Sequence, residues 1–323
     1  MDRLDKIPKR KNDKPVKNLL VSKTEQDLID IVFGGGIAFL GQISTRGLSY
    51  LYNLALIWVL GVEPFGLLIL AMTIVSFIGI IASLGMPLGV IRFGAMNMSK
   101  YGKVGVHNVL QTALIVLIPS SLLFTMAIYF GAFRLANFIF NKPELFTIIR
   151  MLSWVIPFVA LQNLFLAATR SMKVMKYTTI VQTVQPVIAL GLAMLLALLG
   201  LEIKGAVIAY NFSYIIGAGL ALFFYLRMTP LKVPVNQQFP VGKLLKFSLP
   251  LSITEWVHYA NERTEVFFLG FLPNAAAISV YKIAWSFAGL EPMLRHSLEQ
   301  ILAPFSSDLA HRQEINQLES LYK

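Results

Sequence analysis

From residue 31 onward the chain alternates long apolar blocks with short charged stretches, and the charges mark where each block ends. Between Asp30 and Glu63 the only charge is Arg46. From Glu63 to Arg92, and again from Lys103 to Arg134, there is none. Each block can carry a helix across a hydrocarbon core of about 30 Å at about 1.5 Å per residue. Further blocks run from Arg150 to Arg170, Lys176 to Glu202 and Lys204 to Arg227, which makes six. A polar stretch with Pro230, Pro234 and Pro240 follows. Two charge-interrupted blocks, 247 to 271 and 275 to 303, complete a predicted set of eight. The pattern predicts an all-α polytopic membrane protein.

Charge fixes the expected orientation. The first 30 residues hold eight Lys/Arg and no apolar core or cleavage site, so they read as a basic arm and not a signal peptide. With the amino terminus inside, cytoplasmic segments carry 20 basic residues and outside segments 3. That asymmetry predicts cytoplasmic termini. The expected organisation is a basic arm (1–30), a six-helix lobe (31–228), a cytoplasmic linker (229–246), and two helices of a second lobe with a tail (247–323).

Composition narrows the chemistry. At 56% hydrophobic and 14% charged residues, the chain departs from soluble domains. Its net charge of +11 is scattered between apolar blocks, which argues for topology and against nucleic acid. Without cysteine, thiolate metal sites and cysteine nucleophiles are excluded. Gly34-Gly35-Gly36 lacks the spacing of a nucleotide loop. Four scattered histidines make no metal site, and no cofactor is implied. Gly85 and Gly89 have the spacing of a close helix contact, and prolines at 87, 119, 157, 186 and 250 predict local kinks.

The first and seventh blocks end alike, LGVEP at 60–64 and LGFLP at 269–273. Both lie at predicted outside loops, which implies parallel repeats related by an axis along the membrane normal. The same offset of 209 pairs Arg46 with Glu255.

The stretch from Trp58 to Met96 resembles the opening of polysaccharide biosynthesis flippases: a helix ending in Leu-Gly, a short acidic loop, Phe65-Gly66, then Leu84-Gly85-Met86-Pro87 and Arg92. Residues 262–287 resemble that family's seventh and eighth helices, with Glu265 before Leu-Gly and Tyr281 and Ala284 in a Tyr-x-x-Ala step; 302–312 resembles the exit into the cytoplasm. The chain is similar to the multidrug/oligosaccharidyl-lipid/polysaccharide exporter superfamily, in its Wzx-type oligosaccharide flippase branch. That resemblance implies a flippase for oligosaccharide on a polyprenyl pyrophosphate carrier, working in the lipid bilayer by alternating access and possessing no enzymatic activity. It also implies twelve to fourteen spans in two lobes, so eight spans read as a fragment, or as a chain whose remaining helices come from elsewhere.

Candidate residues follow from charges placed in apolar blocks, where an unpaired charge facing lipid costs about 3 kcal/mol. Arg46 has two open readings, a contact to an anionic head group or a structural ion pair. Arg263 and Lys282 are further candidate substrate cations. Glu255, His258, Glu262 and Glu265 are spaced 3, 4 and 3 apart, on one helix face. Such a stripe suits coupling to H+ or Na+, or partial solvation near the outside end. Glu291, Arg295 and Glu299 form an expected ion-paired stripe. Rival readings are an ion-coupled drug or cation exporter, a membrane glycosyltransferase or ligase, and a nonfunctional fragment.

Overall fold

Residue type already dictates that the helices pack by their small residues, because lipid supplies no hydrophobic drive between apolar surfaces. The computed structural model describes residues 47, 48, 50–229 and 239–288, all of them within one packing unit. Among the described residues there is no strand. The helices are α1 (Tyr50–Leu60), α2 (Val62–Ala82), α3 (Met86–Arg134), α4 (Glu144–Leu152), α5 (Val155–Ser171), α6 (Lys176–Leu198), α7 (Glu202–Met228), α8 (Val241–Glu262), α9 (Thr264–Gly270) and α10 (Ala276–Ala288). A π-helical turn, Leu135–Ile139, follows α3.

Among the described residues, five helical stretches are long and apolar enough to cross a membrane: Val62–Ala82, Met86–Ile139, Glu144–Ser171, Lys176–Leu198 and Glu202–Met228. The predicted second block does not stop at Arg92. Its helix breaks at Leu84 and Gly85, both at positive φ, and restarts at Met86 with Pro87 in the first turn, where a missing N–H costs nothing. It then runs to a second break at Gly102, where φ is 61° and ψ −148°. There α3 folds back on itself: a Cβ at Gly105 would lie 2.6 Å from the Asn97 carbonyl. The fourth block begins earlier than Arg150, as α4, and bends at Ser153 and Trp154 before α5. The seventh is α8 plus α9, interrupted at Arg263.

α2 is apolar all round, and it is the hub. It touches α3, α4, α5, α7, α8, α9 and α10, with Phe65, Leu68 and Leu70 fully buried. By contrast Phe130, Leu198 and Phe223 are largely exposed, as side chains facing lipid are.

The α8–α10 hairpin meets α2 and α3 at two levels. Near Gly61, a Cβ on Gly66 would overlap the Ala275 carbonyl, so only glycine lets these backbones touch. Ser279 donates to the Val62 carbonyl, and Phe140 stacks on Phe271 with ring centroids 5.1 Å apart. Lys142, only 5% exposed, donates to the carbonyls of Gly270 (3.1 Å) and Leu272, which α9 leaves without helical partners. Burial lowers the pKa of this ammonium, while Glu144 and Glu63 oppose the shift. Toward the other end, Gly85 and Gly89 lie against Ser248 and Leu244 of α8, the close contact that their spacing predicts. Arg92 sits 4.3 Å from the Phe247 ring centroid.

Candidate functional site

Between these two levels the helices do not close. Ser76, Gly79 and Ser83 are small and spaced 3 and 4 apart, so one face of α2 recedes. The break at Leu84–Gly85 then tilts Pro87, Leu88 and Ile91 away. The resulting cavity, about 300 Å³, is walled by these residues, by Val159, Ala160, Asn163 and Arg170 of α5, and by Glu255, His258, Tyr259 and Glu262 of α8.

Three of the four titratable residues predicted on one face, Glu255, His258 and Glu262, line this cavity together, because α8 is continuous from Val241 to Glu262. The nearest contact between them is His258 Nε2 to Glu262 Oε1, 3.4 Å, with both side chains more than half exposed. Glu265 does not join them. The break at Arg263 carries it into α9, where its carboxylate lies close to the Tyr281 hydroxyl.

Glu255 faces a cation that sequence reasoning assigned only to topology. Arg170, in the last turn of α5, interacts electrostatically with the Glu255 carboxylate across the cavity. Its Nε is buried and makes no hydrogen bond among the described residues. The available signal was Asn163, two turns earlier on the same helix face; a span-end arginine nevertheless has a ready topological explanation.

The two candidate cations Arg263 and Lys282 come together from α8–α9 and α10, close enough for their charges to repel. Arg263 Cζ lies 5.8 Å from the centroid of the Tyr259 ring, which itself lines the cavity. Tyr259 also stacks on Phe77 and bonds the Thr73 carbonyl at 3.3 Å. Behind it, Tyr210 and Tyr214 of α7 pack at 4.9 Å between centroids, with the Tyr52 hydroxyl buried. The sequence carries no signal for this tyrosine cluster, because Tyr52, the Tyr210–Tyr214 pair and Tyr259 lie in three separate apolar blocks. Arg46, Glu291, Arg295 and Glu299 lie outside the described residues.

Apolar helices enclosing a charged cavity define a multi-pass membrane protein built like a transporter. Solved structures bear this out at the level of fold. A MOP superfamily transporter from Pyrococcus furiosus, described for the reversed polarity of its binding pocket, aligns with TM-score 0.63 and 21% identity over 88% of this chain and 67% of its own. The outward-facing form of a multidrug resistance MATE family transporter aligns with TM-score 0.63 and 18% identity, over 88% and 66%. An inward-facing MATE form gives 0.56 and 20%, over 86% and 65%. The chain thus spans about two thirds of the length of these structures. No curated protein matches significantly. Residues 31–309 match the polysaccharide biosynthesis protein family, and the chain belongs to it.

Proposed function

We propose that this protein exports oligosaccharide linked to a polyprenyl pyrophosphate carrier, for cell-surface polysaccharide synthesis, by alternating access between two helical bundles. The observation that carries this reading is the cavity in which Arg170 faces Glu255, in a chain of the polysaccharide biosynthesis family. A guanidinium is suited to a pyrophosphate, because its fork of donors matches two phosphate oxygens at once. In the empty state Glu255 faces that guanidinium across the cavity without an ion-pair contact; an arriving pyrophosphate takes up the guanidinium's free donors. Arg263 and Lys282, which have no carboxylate within ion-pair distance among the described residues, are further candidate substrate cations, as is Arg46. On this reading the protein resides in the cytoplasmic membrane with both termini inside, and the remaining helices of the second bundle complete the pathway.

A second reading is favoured by His258 and Glu262, which share the cavity with Glu255. Three titratable groups on one wall suit coupling to H+ or Na+, and in a drug or cation exporter they would bind the cargo itself.

The test is transport of labelled lipid-linked oligosaccharide in vesicles carrying the protein together with its second-bundle helices. Arg170→Gln is expected to slow transport at least tenfold without loss of membrane protein, and Arg170→Lys to recover part of it. Unchanged transport in Arg170→Gln, with cationic drug export lost in Glu255→Gln, would replace the first reading with the second. Orientation is checked by thiol labelling, which is clean in a cysteine-free chain. An impermeant reagent outside should reach Val62→Cys and Leu201→Cys and leave Val235→Cys unmodified; the opposite pattern inverts the topology.

A further inference from the structure

A second cavity, about 420 Å³, opens on the side of the bundle between α3, α4 and α7 and shares no lining residue with the α8 cavity. Among the described residues, Arg150 is its only charged lining residue. The guanidinium lies 4.2 Å from the Tyr129 ring centroid and 5.7 Å from that of Phe146, and has no carboxylate within ion-pair distance among the described residues. Two aromatic rings take up part of the guanidinium's surface and accept none of its hydrogen bonds, so its five N–H donors remain available to a ligand. On the same wall Asn211 donates through Nδ2 to the Met151 carbonyl at 2.8 Å. That bond fixes the amide orientation, since a carbonyl accepts and cannot donate. Asn211 Oδ1 is therefore an acceptor, and it is buried without a partner. A buried acceptor left unpaired costs about 1–3 kcal/mol, so the site is complementary to a ligand that brings a donor.

Depth identifies that ligand's surroundings. Arg150 lies six residues into α4, about 9 Å from its start at 1.5 Å per residue. Trp154, 47% exposed, packs edge-on to Tyr129 at 6.1 Å, and Phe130 and Phe133 are exposed beside them. A half-exposed Trp against a Tyr marks the level of lipid head groups, and the neighbouring exposed Phe side chains face the acyl chains below it.

We propose that this cavity binds the head group of a membrane glycerophospholipid: its phosphodiester on the Arg150 guanidinium, its head-group hydroxyl or ammonium donating to Asn211 Oδ1, and its chains along Trp154 and Phe130. The site is independent of the transported substrate. Phosphatidylglycerol and phosphatidylethanolamine supply both phosphate and donor; phosphatidylcholine supplies phosphate alone.

Native mass spectrometry of the full chain, titrated separately with these three lipids and with a polyprenyl pyrophosphate, tests it. Wild type is expected to retain one phosphatidylglycerol or phosphatidylethanolamine more tightly than phosphatidylcholine. Arg150→Gln should weaken retention of all three glycerophospholipids about tenfold, a change of about 1.4 kcal/mol. Asn211→Leu should remove only the preference over phosphatidylcholine. Arg150→Lys, which keeps the charge and loses the fork, should fall between. Equal retention of glycerophospholipids by wild type, Arg150→Gln and Arg150→Lys would overturn the proposal. So would an Arg150 effect confined to the polyprenyl pyrophosphate.

Discussion

The seam between α2 and the α8–α10 hairpin is sealed at one level and open at another, and the residues responsible differ in kind. Around Gly66 the contact is backbone against backbone: a glycine on Ala275, a serine on the Val62 carbonyl, a lysine capping the end of α9. Around Gly79 small residues again face α8, but there Glu255 and Arg170 stand across about 300 Å³ of cavity. Small side chains alone therefore do not decide whether two membrane helices close. Where the partner offers backbone and satisfied polar groups, they meet; where it offers a carboxylate opposite a guanidinium, desolvating both charges is unfavourable and the space stays open. Under the proposed transport cycle the cavity opens alternately past the contact at Gly66 and past the contact of Gly85 and Gly89 with α8, so each must be strong enough to seal yet able to part.

The comparison breaks most readily at Gly66. Gly66→Val, whose Cβ would overlap the Ala275 carbonyl, is expected to cost about 3 kcal/mol or more in stability. Gly191→Ala on α6, with open space around it, should remain within about 1 kcal/mol of wild type. Thermal melting of detergent-solubilised protein distinguishes them, and equal melting temperatures would mean that the sealed level is not under backbone constraint.

At the open level, Arg170→Gln and Glu255→Gln should each destabilise the chain, while the double variant should regain on the order of 1–2 kcal/mol of the summed loss. Additive effects in the same melts would show that the two charges do not act as a pair. Lys142→Met preserves bulk but removes both donors to α9. Its expected cost is smaller, about 1–2 kcal/mol, and it should make a cysteine at Leu272 label faster. An unchanged labelling rate would take Lys142 out of the seal.

Much of the fold could be read from the residues, for reasons the structure makes physical. Phe65-Gly66 and Leu84-Gly85-Met86-Pro87 mark, respectively, a backbone contact and a helix break, two features that residue type alone controls. The charged face of α8 was legible as far as Glu262 because helical periodicity holds there. It failed at Glu265 because the break at Arg263 carries neither glycine nor proline to announce it. Arg170 stayed hidden because its partner lies on another helix 85 residues away in sequence, and its position at a span end already had an explanation. The extent of the second block was misjudged at Arg92 because a charged residue was taken as the end of a helix that in fact continues to Tyr101. The expected pairing of Arg46 with Glu255 falls outside the described residues; within them, Glu255 faces Arg170.

Gly102 bears on how the chain reaches its membrane at all. A single residue, at backbone angles that only glycine adopts readily, separates the two arms of α3. Arms joined this tightly have no slack in which one can enter the bilayer and wait for the other. They are therefore expected to leave the ribosome's insertion machinery as a hairpin, with Lys100 and Lys103 at its tip acting as a brake against translocation. Gly102→Val, which disfavours the turn, should then lower the fraction of newly made chain that is integrated, measurable by alkaline extraction of membranes, even where the mature fold tolerates the change.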